Sequence, residues 1–172
     1  SFCGFLDAGD FQILSGSPER LVKLESGQIG TRPIAGTRSR GKNRLEDEAL
    51  SAELLLSEKE RAEHVMLLDL ERNDIGRVSE YGSVFVDEMM TLEHYSHVKH
   101  IVSNVSGRLR TGLGAIDVVR ALFPGGTVTG APKIRSMEII DALEPVARGP
   151  YTGSMGYLSF SGNMDLNILI RS

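Results

Sequence analysis

Cysteine is nearly absent: Cys3 is the only one. It can close no internal disulfide, and that fits a reducing, cytoplasmic setting. No apolar stretch approaches the about 20 residues that a membrane span requires. No signal-peptide pattern is present. No long basic run occurs and the net charge is −4, so neither nucleic acid nor a membrane is expected as a partner. There is no initiator methionine, no internal repeat and no low-complexity linker. What remains is a chain of 172 residues, 41% hydrophobic, enough for one domain with a sizeable core.

Pattern and turn signals divide the chain. Phe11–Leu14 reads as a short strand. Leu21–Glu25 and Gln28–Ile34 read as a hairpin about Ser26-Gly27. Gly36–Asn43 reads as a basic loop and Leu45–Leu56 as an amphipathic helix. Ser57-Glu-Lys-Glu60 is a capping box that starts a helix running to about Arg72. Ser83–Met89 and Val98–Leu109 read as strands. In the second, Ile101, Val105 and Leu109 share one face, while Val98, His100 and Val102 share the other. Ala115–Phe123 and Ala131–Leu143 read as helices, and Ser154–Phe160 with Asp165–Arg171 as a hairpin. Mixed order with hairpins predicts an α+β domain with largely antiparallel sheet.

The densest chemical signal is Phe123-Pro-Gly-Gly-Thr-Val-Thr-Gly-Ala-Pro-Lys-Ile-Arg-Ser-Met137, a glycine-rich loop running into a helix. Gly125, Gly126 and Gly130 permit positive φ and close backbone approach. Pro132 suits a first helical turn, and Ile134, Met137 and Ile140 form an apolar stripe. Helix-start N–H groups with Lys133 and Arg135 nearby make a place for a small anion; the alternative is a plain connection.

Other residues carry two readings each. Glu60 and Glu63 lie three apart on one helix. Leu67, four residues after Glu63, puts Glu63 at the edge of the core, where an unpaired carboxylate is costly and a divalent cation would relieve it. The capping box explains Glu60 by itself, and an ordinary surface carboxylate explains Glu63. His100 is either a satisfied core histidine or a proton donor. Asp165, Asn167, Leu169 and Arg171 share a strand face that is either solvent-facing or a binding face. His94 and His97 read as ordinary.

The glycine loop, with Met137-Glu-Ile-Ile140 and Leu143-Glu-Pro145, resembles the signature of the chorismate-utilising enzymes, which include component I of anthranilate synthase and of aminodeoxychorismate synthase. Ser17-Pro-Glu-Arg20, Arg32-Pro-Ile-Ala-Gly-Thr-Arg38, Ala62–Asp74, Tyr95-Ser-His-Val-Lys-His100 and Asn167-Ile-Leu-Ile-Arg171 resemble further blocks in family order. The resemblance spans essentially the whole chain. It implies sheets packed together with helices outside. It also implies that residues 1–172 are part of a single chorismate-binding catalytic domain, truncated at both ends. The expected missing pieces are an N-terminal half and a short C-terminal segment with a second carboxylate pair.

The resemblance also implies roles. Glu63, with Glu60, would hold Mg²⁺. His100 would handle protons near the departing hydroxyl, and Glu19 would act as general acid or base beside the ring; a solvated turn charge is the plain reading of Glu19. Thr127, otherwise a turn hydroxyl bonded to its own backbone, would bond substrate from the glycine loop at Gly126. Arg171 would fork onto a carboxylate with Tyr157 beside it, and Lys133 would support the loop. The implied reaction is amination of chorismate with ammonia from a glutamine amidotransferase subunit. Isochorismate or salicylate synthesis and a non-catalytic chorismate-binding fragment are the alternatives. The product branch stays open. Pro33-Ile-Ala-Gly-Thr37 resembles anthranilate synthase, whereas many aminodeoxychorismate synthases have a nucleophilic lysine where this chain has Ala35. Thr129, Tyr151–Tyr157 and Asp165-Leu-Asn-Ile168 resemble the aminodeoxychorismate type.

Overall fold

The structure is a computed structural model that describes residues 2–172. Strands β1 (Phe2–Asp7) and β2 (Gln12–Ser17) form an antiparallel pair of their own. The strand expected over Phe11–Leu14 therefore runs on to Ser17, and the segment around Cys3 is its partner. Ser26 and Gly27, both at positive φ, turn β3 (Arg20–Glu25) onto β4 (Gln28–Thr31).

The hairpin was expected to continue to Ile34. Instead it stops at Arg32-Pro33, where proline has no N–H to give the ladder. A separate strand, β5 (Ile34–Ser39), follows. Much of the expected basic loop is thus strand. Its cations do not need solvent, because acidic side chains of the next helices meet them: Arg38 reaches Glu53 and Glu60, and Arg40 reaches Asp47.

The long strand β7 (Val98–Arg108) organises the main sheet. Its first half pairs with β5 and its second half with β4 along one edge, and β6 (Phe85–His94) pairs along the other. Beyond β3 lie β9 (Met164–Asn167) and β8 (Gly156–Leu158), giving the order β5-β7-β4-β3-β9-β8 with β6 beside β7. All named pairings are antiparallel. The predicted α+β class with antiparallel sheet is what the chain forms. The last hairpin is shorter than expected, because after Asn167 the chain leaves the ladder and binds a turn near β2: the Ile168 N–H donates to Glu19 O (3.1 Å), and the Ser17 hydroxyl donates to Ile168 O (2.6 Å).

Helix α1 (Arg44–Leu56) starts where the Asn43 side chain accepts from the Glu46 N–H at 3.0 Å. Helix α2 (Glu58–Gly76) starts at the predicted Ser57 cap. It outruns the expected end at Arg72 because the stripe His64, Leu68, Ile75 still has core to cover. Helix α3 (Ala115–Leu122) ends before Pro124, as expected. Leu68 and Ile75 of α2 and Val118 and Leu122 of α3 pack on Val22, Ile29 and Val105 of the sheet. Burying each such side chain contributes roughly 1.5–3 kcal/mol before the entropy of ordering it. Helix α4 (Lys133–Leu143) buries no residue; its expected stripe at Ile134 and Met137 is exposed.

Candidate active site

Alternation along β7 sets the site. Lys99 and Ser103 face the helices: Lys99 Nζ bonds Asp47 and Ser51 of α1, and Ser103 Oγ lies 2.6 Å from His64 Nε2 of α2. His100, one step along, takes the opposite face. Its register partner on β5 is Thr37, beyond a bulge at Gly36. Gly36 has φ +69°, and a Cβ there would stand 2.8 Å from Leu54 Cδ1 and 3.0 Å from Glu60 Oε2. Only glycine makes this bend without strain.

The bulge brings Thr37 Oγ1 to 3.0 Å and Gly36 O to 3.3 Å from His100 Nδ1. The Gly36 carbonyl can only accept, whereas the nearer Thr37 hydroxyl can donate to or accept from Nδ1; together they hold the ring by Nδ1 and leave Nε2 facing away from both. Among the described residues Nε2 has no hydrogen-bond partner.

A cavity of about 120 Å³ lies here, lined by Pro18, Glu19, Ile34, Ala35, Gly36, Thr37, His100, Ile170 and Arg171. Three residues singled out from sequence, Glu19, His100 and Arg171, meet in it together with Ala35. Glu19 is 8% exposed. Burial raises its pKa above the ordinary carboxylate value, against the lowering pull of Thr127 and Arg171. A carboxyl so placed is suited to hold and release a proton. Arg171 is exposed at its outer side and sits at φ 51°, past the end of β9 rather than on the expected strand. The rest of the expected binding face is not solvent-facing: Asn167 and Leu169 are buried, and Asp165 is forked by Arg20 at 2.9 and 3.1 Å.

A larger cavity of about 750 Å³ runs along α4, lined by Phe123, Met137, Glu138, Asp141, Glu144 and Arg148 among others. Its walls are apolar and acidic, and Arg148 is already paired with Glu144 at 2.6 Å. An anion finds no free cation there. The smaller cavity sets the Arg171 guanidinium beside a buried carboxyl and an imidazole, groups able to meet an anion and to handle protons. At about 120 Å³ it is one wall of a site, since small-molecule pockets are roughly 300–1,000 Å³.

The remaining expectations divide. Thr127 lies in a 3-10 turn (Gly126–Val128) with its hydroxyl buried and facing Glu19, but without a hydrogen bond of ordinary geometry. The plain turn role falls to Thr129, whose hydroxyl donates to Gly125 O at 2.9 Å. Gly125 and Gly126 do not use positive φ; of the three loop glycines only Gly130 does. Close approach is their reason: a Cβ on Gly126 would stand 2.5 Å from Leu70 Cδ2, and one on Gly125 2.7 Å from Ile168 Cδ1.

The expected anion site at the start of α4 has no free charge: Lys133 binds Asp74 at 2.5 Å and Leu122 O at 3.0 Å, and Arg135 binds Glu138 at 2.7 Å. Lys133 therefore ties the loop to α2. Tyr157 is exposed on β8, opposite Asp165, and does not line the cavity. Glu63 is not at the core edge. Its side chain is 50% exposed and 3.7 Å from Lys59, because it lies one position off the buried His64 stripe. Glu60 is the more buried of the pair, at 17%, and contacts Arg38 at 3.3 Å beneath the Gly36 bulge. Among the described residues no three His, Cys, Asp or Glu side chains gather as a metal cluster.

The family profile described as chorismate binding enzyme matches residues 1–172. The chain belongs to the chorismate binding enzyme family. It is 60% identical over 171 residues to aminodeoxychorismate synthase component 1 of Bacillus subtilis, covering 99% of this chain and 36% of that protein. It is 58% identical over 168 residues to anthranilate synthase component 1 of Aquifex aeolicus, covering 98% and 34%. The crystal structure of anthranilate synthase component I from Streptococcus pneumoniae superposes with a TM-score of 0.90 at 50% identity, covering 99% of this chain and 37% of that one. The chain thus spans about a third of the length of these relatives. The α+β fold is that of the family.

Two residues of α2 escaped the sequence reading. His64 is fully buried, and burial lowers its pKa, so the neutral imidazole holds Ser103 between α2 and β7. Glu71 lies seven residues further along α2 with its Oε2 sealed from solvent. The signal for both was their place on the stripe of Leu68 and Ile75.

Proposed function

We propose that the protein carrying this chain aminates chorismate, using ammonia and Mg²⁺, and makes aminodeoxychorismate or anthranilate. The observation that carries this reading is the convergence of Glu19, His100 and Arg171 on one cavity whose wall includes Ala35. Chorismate has two carboxylates and a hydroxyl that must leave. Arg171 supplies a planar cation for a carboxylate. Glu19, its pKa raised by burial, and His100, its ring held at Nδ1 by Thr37 and Gly36, supply two proton-handling groups. Ala35 offers no nucleophile, so ammonia itself attacks the ring, with no covalent lysine step at this position.

Both aminating names occur among relatives of near-equal identity, so likeness alone does not separate the products. Their designation as component 1 supports a partner subunit, which we assign as the glutamine amidotransferase that delivers ammonia. Glu63 and Glu60 fit Mg²⁺ by chemistry: both are hard oxygen donors, and Mg²⁺ keeps several waters and needs few protein carboxylates. With Glu60 on Arg38, Glu63 is the freer ligand. When bound, the ion supplies electrophilic polarisation of a substrate carboxylate.

The test incubates the complete gene product with chorismate, Mg²⁺ and ammonium and separates the products by chromatography. Anthranilate with released pyruvate assigns the first branch. Aminodeoxychorismate, yielding 4-aminobenzoate only after a lyase is added, assigns the second. Isochorismate or salicylate without amination overturns the proposal.

A further inference from the structure

The family-like blocks Arg32–Arg38 and Tyr95–His100 each begin with a residue that the proposed chemistry leaves idle. The sheet brings both toward His100. β7 lies between β5 and β6, and the register partners of His100 are Thr37 on one side and Glu93 on the other. Directly paired residues point to the same face, so Glu93 stands beside His100. Tyr95, two residues after Glu93 and just past the end of β6, keeps that face. Its ring meets the imidazole with 5.8 Å between centroids and 62° between planes, an edge contact. Its hydroxyl donates to Glu93 Oε2 at 2.5 Å, and Arg32 Nε donates to Glu93 Oε1 at 3.1 Å. The Tyr95 backbone is tied as well: its N–H donates to Val98 O at 2.8 Å, and its carbonyl accepts from Arg40 at 2.9 Å.

We propose that Tyr95 is a positioning residue for His100, with Glu93 and Arg32 holding its ring in place. The inference rests on the reading of His100 as a proton-handling group. The second side-chain torsion of a histidine is broad, so hydrogen bonds at Nδ1 alone let the ring tilt and Nε2 swing. Thr37 and Gly36 hold only that nitrogen. An aromatic ring set against the imidazole from the β6 side removes the tilt. Tyr95 is itself 47% exposed, so packing alone leaves it free on one side. The Glu93 carboxylate supplies the anchor. Burial acts to raise the pKa of Glu93, but the Tyr95 hydroxyl and Arg32 outweigh it and bring it below the ordinary value, so it accepts from both at neutral pH. Arg32 also binds Glu88 at 2.6 Å, which fixes the far end of the chain of contacts. Tyr95 does not line the cavity, so its effect reaches the reacting atoms only through His100.

The experiment uses the complete protein with its histidine rings isotope-labelled for NMR, and steady-state amination kinetics in parallel. The His100 signal is the one missing from His100→Gln. Tyr95→Leu should shift that signal and lower kcat about 10–100-fold with KM for chorismate little changed, the scale on which misplacing a reacting group acts. Tyr95→Phe keeps the ring and loses its anchor, so kcat should fall only a few-fold; this variant stands in if Tyr95→Leu does not fold. Glu93→Ala should lower kcat by itself and do nothing further beside Tyr95→Leu, because both act through one ring. A His100 signal that Tyr95→Leu leaves unmoved, a loss that falls on KM, or losses from Glu93→Ala and Tyr95→Leu that add in full would each overturn the proposal. A wild-type protein that does not aminate chorismate sinks the functional reading, and the His100 signal then decides the hold on the ring by itself.

Discussion

At the scale of single residues, the proposed chemistry gives His100 and Arg171 separable work. His100 has its Nδ1 fixed by Thr37 and Gly36, which leaves Nε2 for the reacting proton. Replacing it with Gln in the complete enzyme should lower kcat by about 10²–10⁴ with KM little changed, as general acid–base contributions run. Arg171 touches no acidic partner at salt-bridge distance among the described residues, so its charge is available to a ligand. Arg171→Ala should raise KM for chorismate by about 10–100-fold, the cost of one charge-assisted contact. Steady-state kinetics on the two variants checks both. Equal loss in kcat and KM for either would reject the division.

The meeting of Glu19, His100 and Arg171 in one cavity was anticipated only through the family resemblance of blocks such as Ser17–Arg20 and Tyr95–His100; residue types alone left Glu19 as a solvated turn charge and His100 as a core histidine. What was not legible was partnership. Lys133 and Arg135 read as free cations at a helix start; nothing local showed that Asp74, 59 positions away, would neutralise Lys133, whereas the pairing of Arg135 with Glu138 three residues on was there to be read. Glu63 looked core-facing from Leu67, but a one-position rotation of α2 places His64 inside and Glu63 out. Phase on a helix with few apolar residues is poorly fixed by periodicity.

At the scale of elements, the bulge in β5 carries the greatest weight. It turns Thr37 onto His100 while α1 and α2 press on it from behind through Leu54 and Glu60. Gly36→Ala combines a left-handed backbone with a close approach at 2.8 Å. It should cost about 1–3 kcal/mol of stability. It should also weaken the hold on His100, so denaturant midpoint and kcat should fall together. Unchanged kcat in a destabilised protein would show that the bulge serves packing alone. The strand itself was hidden in the sequence, because Arg38 and Arg40 gave it the look of a solvated loop. Only the docked helices, with Glu53, Glu60 and Asp47, make it a strand with satisfied charge.

At the scale of the whole molecule, the antiparallel sheet and the helices on it were expected and found. Metal dependence is a property to test here. Chelation of the complete enzyme should abolish activity and added Mg²⁺ should restore it, with Glu63→Gln shifting the Mg²⁺ requirement upward more than Glu60→Gln does. Equal shifts, or activity that survives chelation, would count against the assignment of Glu63 as the freer ligand.

The turn at Ser17–Glu19 is clasped by Ile168 from the far end of the chain, 151 positions from Ser17. Glu19 and Arg171 thus meet only after the most distant pairing in the sheet, β3 with β9, has closed. Contacts of such long sequence separation form late, since the entropy of closing the loop precedes the reward. During synthesis the Glu19 carboxyl exists long before the Arg171 guanidinium that shares its cavity. Their meeting therefore depends on every strand between them: a chain that has misregistered an inner strand does not bring the two side chains together.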